Sequence, residues 1–234
     1  LYIGIPFCTT RCAYCSFSSG EIGDGRLVEP YLNALFHEIE ICAQMVREFG
    51  LDIRVGYIGG GTPSSLNTRQ LERLLNHIEK HFGKLDEFTV EAGRPDTLDE
   101  EKLRMIYSHP VTRISINPQT MNDDTLARIG RAHTARQTEQ AYELARKIGF
   151  KDINMDVIAA LPGEDYEKFA YTLERIREMK PESLTVHTLA IKRSSKLHEV
   201  KYAQNEQDVA QMVELGRQTA HEMGMRAYYL YRQK

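Results

Sequence analysis

The sequence predicts an α/β fold, an incomplete (β/α)6 barrel in which a parallel sheet carries helices on its outside. Two observations predict it. Strand-like and helix-like segments alternate six times along 234 residues, the pattern of a parallel sheet covered by crossover helices. Chemically distinctive sequence also stands at the C-terminal end of nearly every strand: Cys8 to Cys15 after the first, Gly59 to Gly61 after the second, Glu91 after the third, Gln119 after the fourth and Asp156 in the fifth. In a barrel these ends meet around one mouth, whereas a doubly wound open sheet, the alternative architecture, spreads them along an edge. Six or seven units in this length suit a partial TIM-like barrel better than a closed one of eight.

Leu1 to Ile5 is the first strand, ended by Pro6 and a cysteine loop. Tyr31, Leu32, Leu35, Phe36, Ile39, Cys42, Met45, Val46 and Phe49 recur at helical spacing and predict a helix over Pro30 to Phe49 with that face buried. Asp52 to Ile58 forms the second strand, and Leu71, Leu74, Leu75, Ile78 and Phe82 place a helix over Thr68 to Phe82. Then follow a strand at Glu87 to Ala92, a helix at Asp99 to Tyr107, a strand at Val111 to Asn117, a helical turn and a helix at Thr134 to Ile148. Strand five covers Asp152 to Ile158, helix five Asp165 to Met179 and strand six Ser183 to Leu189. A helix near Gln207 to Met223 precedes a last strand candidate, Ala227 to Tyr231.

One domain is expected over 1–234, with 190–234 as a C-terminal extension of the barrel. The chain opens at Leu1, without a methionine and already in strand-like sequence, so the native ends are expected to lie beyond it. Hydrophobic residues make up 41% and charged residues 27%, which suits a soluble domain with a substantial core and not a disordered or fibrous chain. Thirty-three acidic against 30 basic residues leave a net charge of -3, which disfavours a nucleic-acid partner held mainly through its phosphates. No apolar run approaches a membrane span and no targeting segment opens the chain, so a cytoplasmic location is expected.

Three of the four cysteines, Cys8, Cys12 and Cys15, fall in one run of eight residues, while Cys42 lies on the apolar face of the first helix as an expected core thiol. The chain is too large, and its cysteines too clustered, for a disulfide framework, so the cluster reads as a metal site. With no second ligand pair evident, three thiolates on one loop point to an iron–sulfur cluster with one iron left open; a structural zinc site completed by a distant histidine is the alternative.

Gly59-Gly60-Gly61-Thr62-Pro63 matches neither a phosphate loop nor a dinucleotide fingerprint, yet successive glycines after a strand let backbone approach a ligand. Asp156 interrupts the apolar run Ile153, Met155, Val157, Ile158, where a charge needs a partner or a ligand hydroxyl. Glu91, Gln119 and Arg131 are further polar groups at strand ends, Arg131 being either a ligand-carboxylate partner or a surface residue. His77 and His81, four apart, lack a zinc-protease motif and are expected exposed, with no separate histidine metal site. His187, Lys192 and Arg193 mark a rim suited to an acidic substrate, or a polar core residue beside a solvated basic pair. Tyr228, Tyr229 and Tyr231 either pack a last strand or stack on a flat ligand.

Tyr2-Ile3-Gly4-Ile5-Pro6-Phe7-Cys8, the Cys8, Cys12, Cys15 spacing with Tyr14, the Gly59 to Pro63 run, Arg113 to Gln119, and Asp156 through Leu161-Pro162-Gly163 resemble the radical S-adenosylmethionine superfamily. More narrowly they are similar to oxygen-independent coproporphyrinogen III oxidases and their relatives, including the HemZ-type branch. The resemblance implies that Cys8, Cys12 and Cys15 hold a [4Fe-4S] cluster whose open iron takes the amino and carboxylate groups of S-adenosylmethionine. It implies that Gly59, Gly60, Gly61 and Thr62 line the methionine end, that Glu91 and Arg131 engage the methionine part, and that Gln119 and Asp156 bind the ribose. Tyr2 would lie over the cofactor near the cluster, where it is also the catalytic candidate, and Tyr14 would stand beside the cluster.

The same resemblance implies reductive cleavage of S-adenosylmethionine, fed by reduced flavodoxin or ferredoxin, and oxidative decarboxylation of coproporphyrinogen III propionates to vinyls. Two positions depart from the oxidases: Gly4 stands where they and the related haem chaperones carry a histidine, and Phe17 where the oxidase carries a cysteine. A haem-binding or haem-transfer protein that keeps the cluster and S-adenosylmethionine site is therefore the second expectation.

Overall fold

Apolar and polar residues alternate along the strands, and in the computed structural model, which describes residues 1–199, 202 and 206–229, that alternation sorts the sheet into two faces. The elements run β1 (Tyr2–Ile5), β2 (Phe7–Cys8), β3 (Gly20–Glu21), α1 (Val28–Glu48), β4 (Val55–Gly60), α2 (Thr68–Phe82), β5 (Glu87–Glu91), α3 (Glu100–Tyr107) and β6 (Arg113–Ser115). They continue with α4 (Asp123–Arg128), α5 (Ala135–Ile148), β7 (Ile153–Ala159), α6 (Tyr166–Met179), β8 (Ser183–Thr188), α7 (Lys196–Glu199) and α8 (Glu206–Glu222). Six strands form one sheet in the order β1-β4-β5-β6-β7-β8, and every pair is parallel. Strand order thus follows chain order, as in a (β/α) barrel, while β1 and β8 remain separate edges and leave the barrel partial.

The register carries side-chain alternation around the sheet: Tyr2 pairs with Tyr57, Tyr57 with Thr89, Glu91 with Ser115, Ser115 with Asn154 and Asp156 with Thr185. These inward positions are polar or aromatic. Their outward neighbours Ile3, Ile5, Ile58, Val90, Ile114, Met155 and Val157 are buried under Leu32, Leu35, Leu71, Leu75, Leu103, Ile106, Phe169 and Leu173 of the helices. The apolar layer between sheet and helices is therefore the core, and a polar lumen is left for chemistry. At its floor Arg113 is held 3.0 Å from both Glu87 and Asp152.

Asp99, Thr134 and Asp165, expected as first helical residues, are instead N-caps whose side-chain oxygens accept from the backbone N–H of Lys102, Gln137 and Lys168. The fourth strand contracts from the expected Val111 to Asn117 to three residues, because Pro118 donates no N–H and Gln119 turns to a φ of 66°. Cys42 is half-buried, and Met45 and Phe49 are exposed although they continue the apolar spacing. The 21-residue α1 is about 31 Å long against about 20 Å for the six-residue β4, so its last turns overrun the sheet they would pack on. Ala227 to Tyr229 take an irregular, non-strand conformation, with Tyr228 and Tyr229 exposed and Tyr229 on the wall of the barrel mouth; Leu230 and Tyr231 of the expected last strand lie outside the described residues. Among the described residues no helix is long and apolar enough to cross a membrane.

Candidate functional site

The polar lumen opens into a cavity of about 1090 Å³ at the C-terminal ends of the strands. Cys8, Cys12 and Cys15 lie on its wall with Tyr2, Tyr14, Gly60, Gly61, Thr62, Glu91, Gln119, Arg131 and Asp156. Segments up to 154 positions apart in sequence thereby converge, as the barrel reading requires. Gly59 alone of the expected cofactor-contacting residues is not on the wall. A Cβ at that position would come within 2.4 Å of Tyr57 and 2.8 Å of a Glu91 carboxylate oxygen, so Gly59 makes room for those two side chains instead.

The cysteine loop starts at β2, and β3 pairs with β2 to return the chain, Phe7 against Gly20 and Cys8 against Glu21. Between them the loop is suspended from three strand-end loops. The Ala13 N–H donates to the Ile129 carbonyl (2.9 Å), the Thr10 hydroxyl to the Gly130 carbonyl (2.9 Å), and the Arg11 guanidinium to the Ser194 carbonyl (2.9 Å). Arg94, only 2% exposed, donates to the Thr10 carbonyl (3.0 Å) and hydroxyl (2.8 Å) while its other nitrogens reach the Asp96 carboxylate. Asp96 is held well below the usual carboxylate range, against its own burial, by His133 and Arg94. These anchors fix the direction in which the three sulfurs face.

Gly60 sits at a φ of 108°, where side chains are disfavoured. Gly61 packs so closely under the cysteine loop that a Cβ would lie 2.7 Å from the Phe7 carbonyl and 3.0 Å from Cys8 Sγ. Thr62 donates its hydroxyl to Cys8 Sγ at 3.4 Å. The glycine run therefore serves close approach between β4 and the cysteine loop, beyond the turn that follows it.

On the inner wall Tyr2 stacks on Tyr57 with ring centroids 6.0 Å apart and planes at 9°. Burial, then the charge of Asp156, pushes the Glu91 carboxyl up to about 8, against the opposing pull of Arg131 and hydrogen bonds from Tyr57 and the Gly60 backbone. Arg131 is half-buried and not a surface residue: it donates to the Gly93 carbonyl and to the Tyr14 hydroxyl, each at 3.1 Å. Burial keeps the Tyr14 phenol protonated. His187 Nε2 stands 3.7 Å from Asp156, and both line the cavity with Lys192 and Tyr229.

Three polar atoms on this wall, Arg11 Nε, Gln119 Oε1 and Arg131 Nε, are buried without a hydrogen-bond partner among the described residues. Buried groups of this kind are normally satisfied, so they match a polar ligand that would supply the missing partners.

Sequence reasoning missed Tyr57, Arg94, Asp96, Asn117 and Asn154. Tyr57 and Asn154 carry a signal, since they share the inward strand parity of Gly59 and Asp156. Arg94 carries none beyond its place one residue after Gly93.

These features agree with comparison to known proteins. The Radical SAM superfamily model matches residues 2–176. The chain is 42% identical over 242 residues to the oxygen-independent coproporphyrinogen-III oxidase-like protein HemZ of Bacillus subtilis, over 100% of this chain and 48% of that protein. It is 37% identical to the heme chaperone HemW of the same organism, over 81% of this chain and 50% of that one. The structure superposes with a TM-score of 0.84 and 26% identity on coproporphyrinogen III oxidase (HemN) from Escherichia coli, a radical SAM enzyme, covering 95% of this chain and 52% of that one. The chain spans about half the length of the relatives it matches. By the family match over three-quarters of its length, carried on the cysteine loop and the barrel, the chain belongs to the radical SAM superfamily.

Proposed function

We propose that this chain is the catalytic core of a radical S-adenosylmethionine oxidoreductase acting on a tetrapyrrole, by oxygen-independent conversion of coproporphyrinogen III propionates to vinyls. The observation that carries the reading is the cavity that places three loop thiols on one wall with three unpartnered buried polar atoms, Arg11 Nε, Gln119 Oε1 and Arg131 Nε.

Cys8, Cys12 and Cys15 would hold the [4Fe-4S] cluster, and a bound cluster supplies one electron that breaks a carbon–sulfur bond of S-adenosylmethionine. The residues of the chain bind, orient and shield. Gly60 and Gly61 bring backbone groups up to the methionine end, Arg131 offers its guanidinium to the carboxylate, and Glu91 accepts from the ammonium. Asp156 and Gln119 take the ribose hydroxyls, and the stacked Tyr2 and Tyr57 cover the cofactor and limit water. Lys192, His187 and Arg11 on the same wall suit the carboxylates of a tetrapyrrole. A reduced flavodoxin or ferredoxin would deliver the electron.

A second reading, a haem-binding or haem-transfer protein with the same cofactor site, is favoured by two positions. Phe17, on the cavity wall and 64% exposed, and Gly4, beside Tyr2, stand at the two departures from the oxidase pattern. The heme chaperone HemW is also among the relatives.

Anaerobic protein, reduced and supplied with S-adenosylmethionine and coproporphyrinogen III, separates the readings by mass analysis of products. Decarboxylated tetrapyrrole together with 5'-deoxyadenosine and methionine is expected of the oxidase. Cofactor cleavage with untouched coproporphyrinogen, and a new absorbance band on haem titration, would overturn it in favour of haem handling.

A further inference from the structure

Away from the cavity, α1 and α2 pack side by side and bring together three groups from both helices. His77 and His81, one helical turn apart on α2, share a face, and Glu40 of α1 lies opposite them. Glu40 Oε1 is 3.6 Å from His77 Nε2 and 4.0 Å from His81 Nε2. The ring centroids are 4.6 Å apart, and one ligand atom from each of the three residues lies within 4.8 Å of the others. A tetrahedral ion bound at about 2.0–2.1 Å holds its ligands about 3.3 Å apart, so the three atoms are a small side-chain adjustment from a coordination shell.

The expected exposed histidines are in fact mostly covered, with side chains 16% and 15% exposed, while Glu40 remains half in solvent. His81 Nε2 is buried without a hydrogen-bond partner among the described residues, a loss that a ligand would make good. His77 Nε2 lies 3.1 Å from the Phe36 carbonyl. To ligate an ion through this nitrogen the ring gives up that contact, since a nitrogen that donates to a carbonyl has no lone pair left.

We propose that Glu40, His77 and His81 form a binding site for a divalent transition ion of the zinc class, completed by water on its open side and joining α1 to α2. Two imidazoles and one carboxylate are a donor set for zinc and its neighbours, whereas calcium and magnesium favour oxygen alone. The site is separate from the cysteine loop and rests on none of the catalytic assignments.

The test is zinc titration of chelator-treated protein already loaded with its iron–sulfur cluster, so that the loop thiols are occupied. One zinc per chain is expected to survive desalting, to raise the melting temperature and to show a first shell of nitrogen and oxygen by X-ray absorption. His81→Asn and Glu40→Gln should each weaken zinc binding about tenfold or more, with iron content and helical circular dichroism unchanged. No retained zinc in the parent protein, a sulfur shell around the ion, or equal affinity in folded His81→Asn protein would overturn the proposal.

Discussion

Glu91 and Asp156, carboxylates on strands two places apart in the sheet, are joined across the lumen by an unbroken chain of side-chain hydrogen bonds. Asn154 donates through its amide to both Asp156 Oδ1 and Ser115 Oγ, each at 2.7 Å; Ser115 donates to Asn117 Oδ1 at 2.8 Å; and Asn117 donates to Glu91 Oε1 at 3.4 Å. Thr185 adds a bond to Asn154 Oδ1 at 3.2 Å. The relay fixes both carboxylates against the walls on which the proposed cofactor would lie, so the cofactor meets preset acceptors.

Asp156→Asn should leave iron and sulfide content intact and weaken S-adenosylmethionine binding by about tenfold or more, the usual scale of a lost hydrogen bond to a charged acceptor. Equilibrium binding of the cofactor to the reconstituted variant measures this. Unchanged affinity would remove Asp156 from the ribose site.

Arg94→Ala strands Asp96 and unhooks Thr10, leaving a mostly covered carboxylate beside His133. Breaking a buried pair from one side costs about 3–5 kcal/mol. Denaturant unfolding should report that loss, and cluster reconstitution should fall with it, since the cysteine loop hangs on this residue. A variant of parental stability and full iron content would show that the clamp is dispensable.

Gly61→Ala forces a methyl against the Phe7 carbonyl and Cys8 Sγ, with an overpacking cost of about 1–3 kcal/mol. The expected signature is lowered iron content with far-ultraviolet circular dichroism preserved. Equal iron loading in Gly61→Ala and parent would mean that the loop has room to spare.

Glu164 predicts a pH dependence remote from the cluster. Burial pushes its carboxyl from 4.5 up to about 7, although Thr120 and Asn122 both donate to it. A carboxyl that binds its proton more tightly folded than unfolded contributes stability that is complete below pH 4.5 and is lost as pH rises through about 7. Glu91 acts in the same direction up to about 8. Glu164→Gln, compared with the parent by unfolding between pH 5 and 8, should show a shallower decline; parallel curves would contradict this origin.

Much of the fold is legible in the sequence because its signals are local. The apolar stripe of Leu71, Leu74, Leu75 and Ile78 fixes α2 at Thr68–Phe82, the same bounds in sequence and structure. The polar interruption at Asp156 already marks an inward strand position. What stays hidden depends on packing between distant segments. Met45 and Phe49 keep the helical period but outrun the sheet, Arg94 is defined only by the loop it clamps, and Glu40 meets His77 and His81 only once α1 lies on α2. The grouping of the three cysteines is visible in the sequence, whereas the orphaned Arg11 Nε, Gln119 Oε1 and Arg131 Nε on the same cavity wall appear only in three dimensions.

The most direct test of the cofactor site is electron paramagnetic resonance of the anaerobically reconstituted, dithionite-reduced protein, recorded with and without S-adenosylmethionine and paired with iron and sulfide analysis. Four irons and four sulfides per chain, a reduced-cluster signal that changes on adding the cofactor, and loss of that signal in Cys12→Ser are the predicted results. A colourless protein with zinc in place of iron, or a Cys12→Ser variant with its cluster intact, would contradict the assignment of Cys8, Cys12 and Cys15 as the ligands of a cluster open to S-adenosylmethionine.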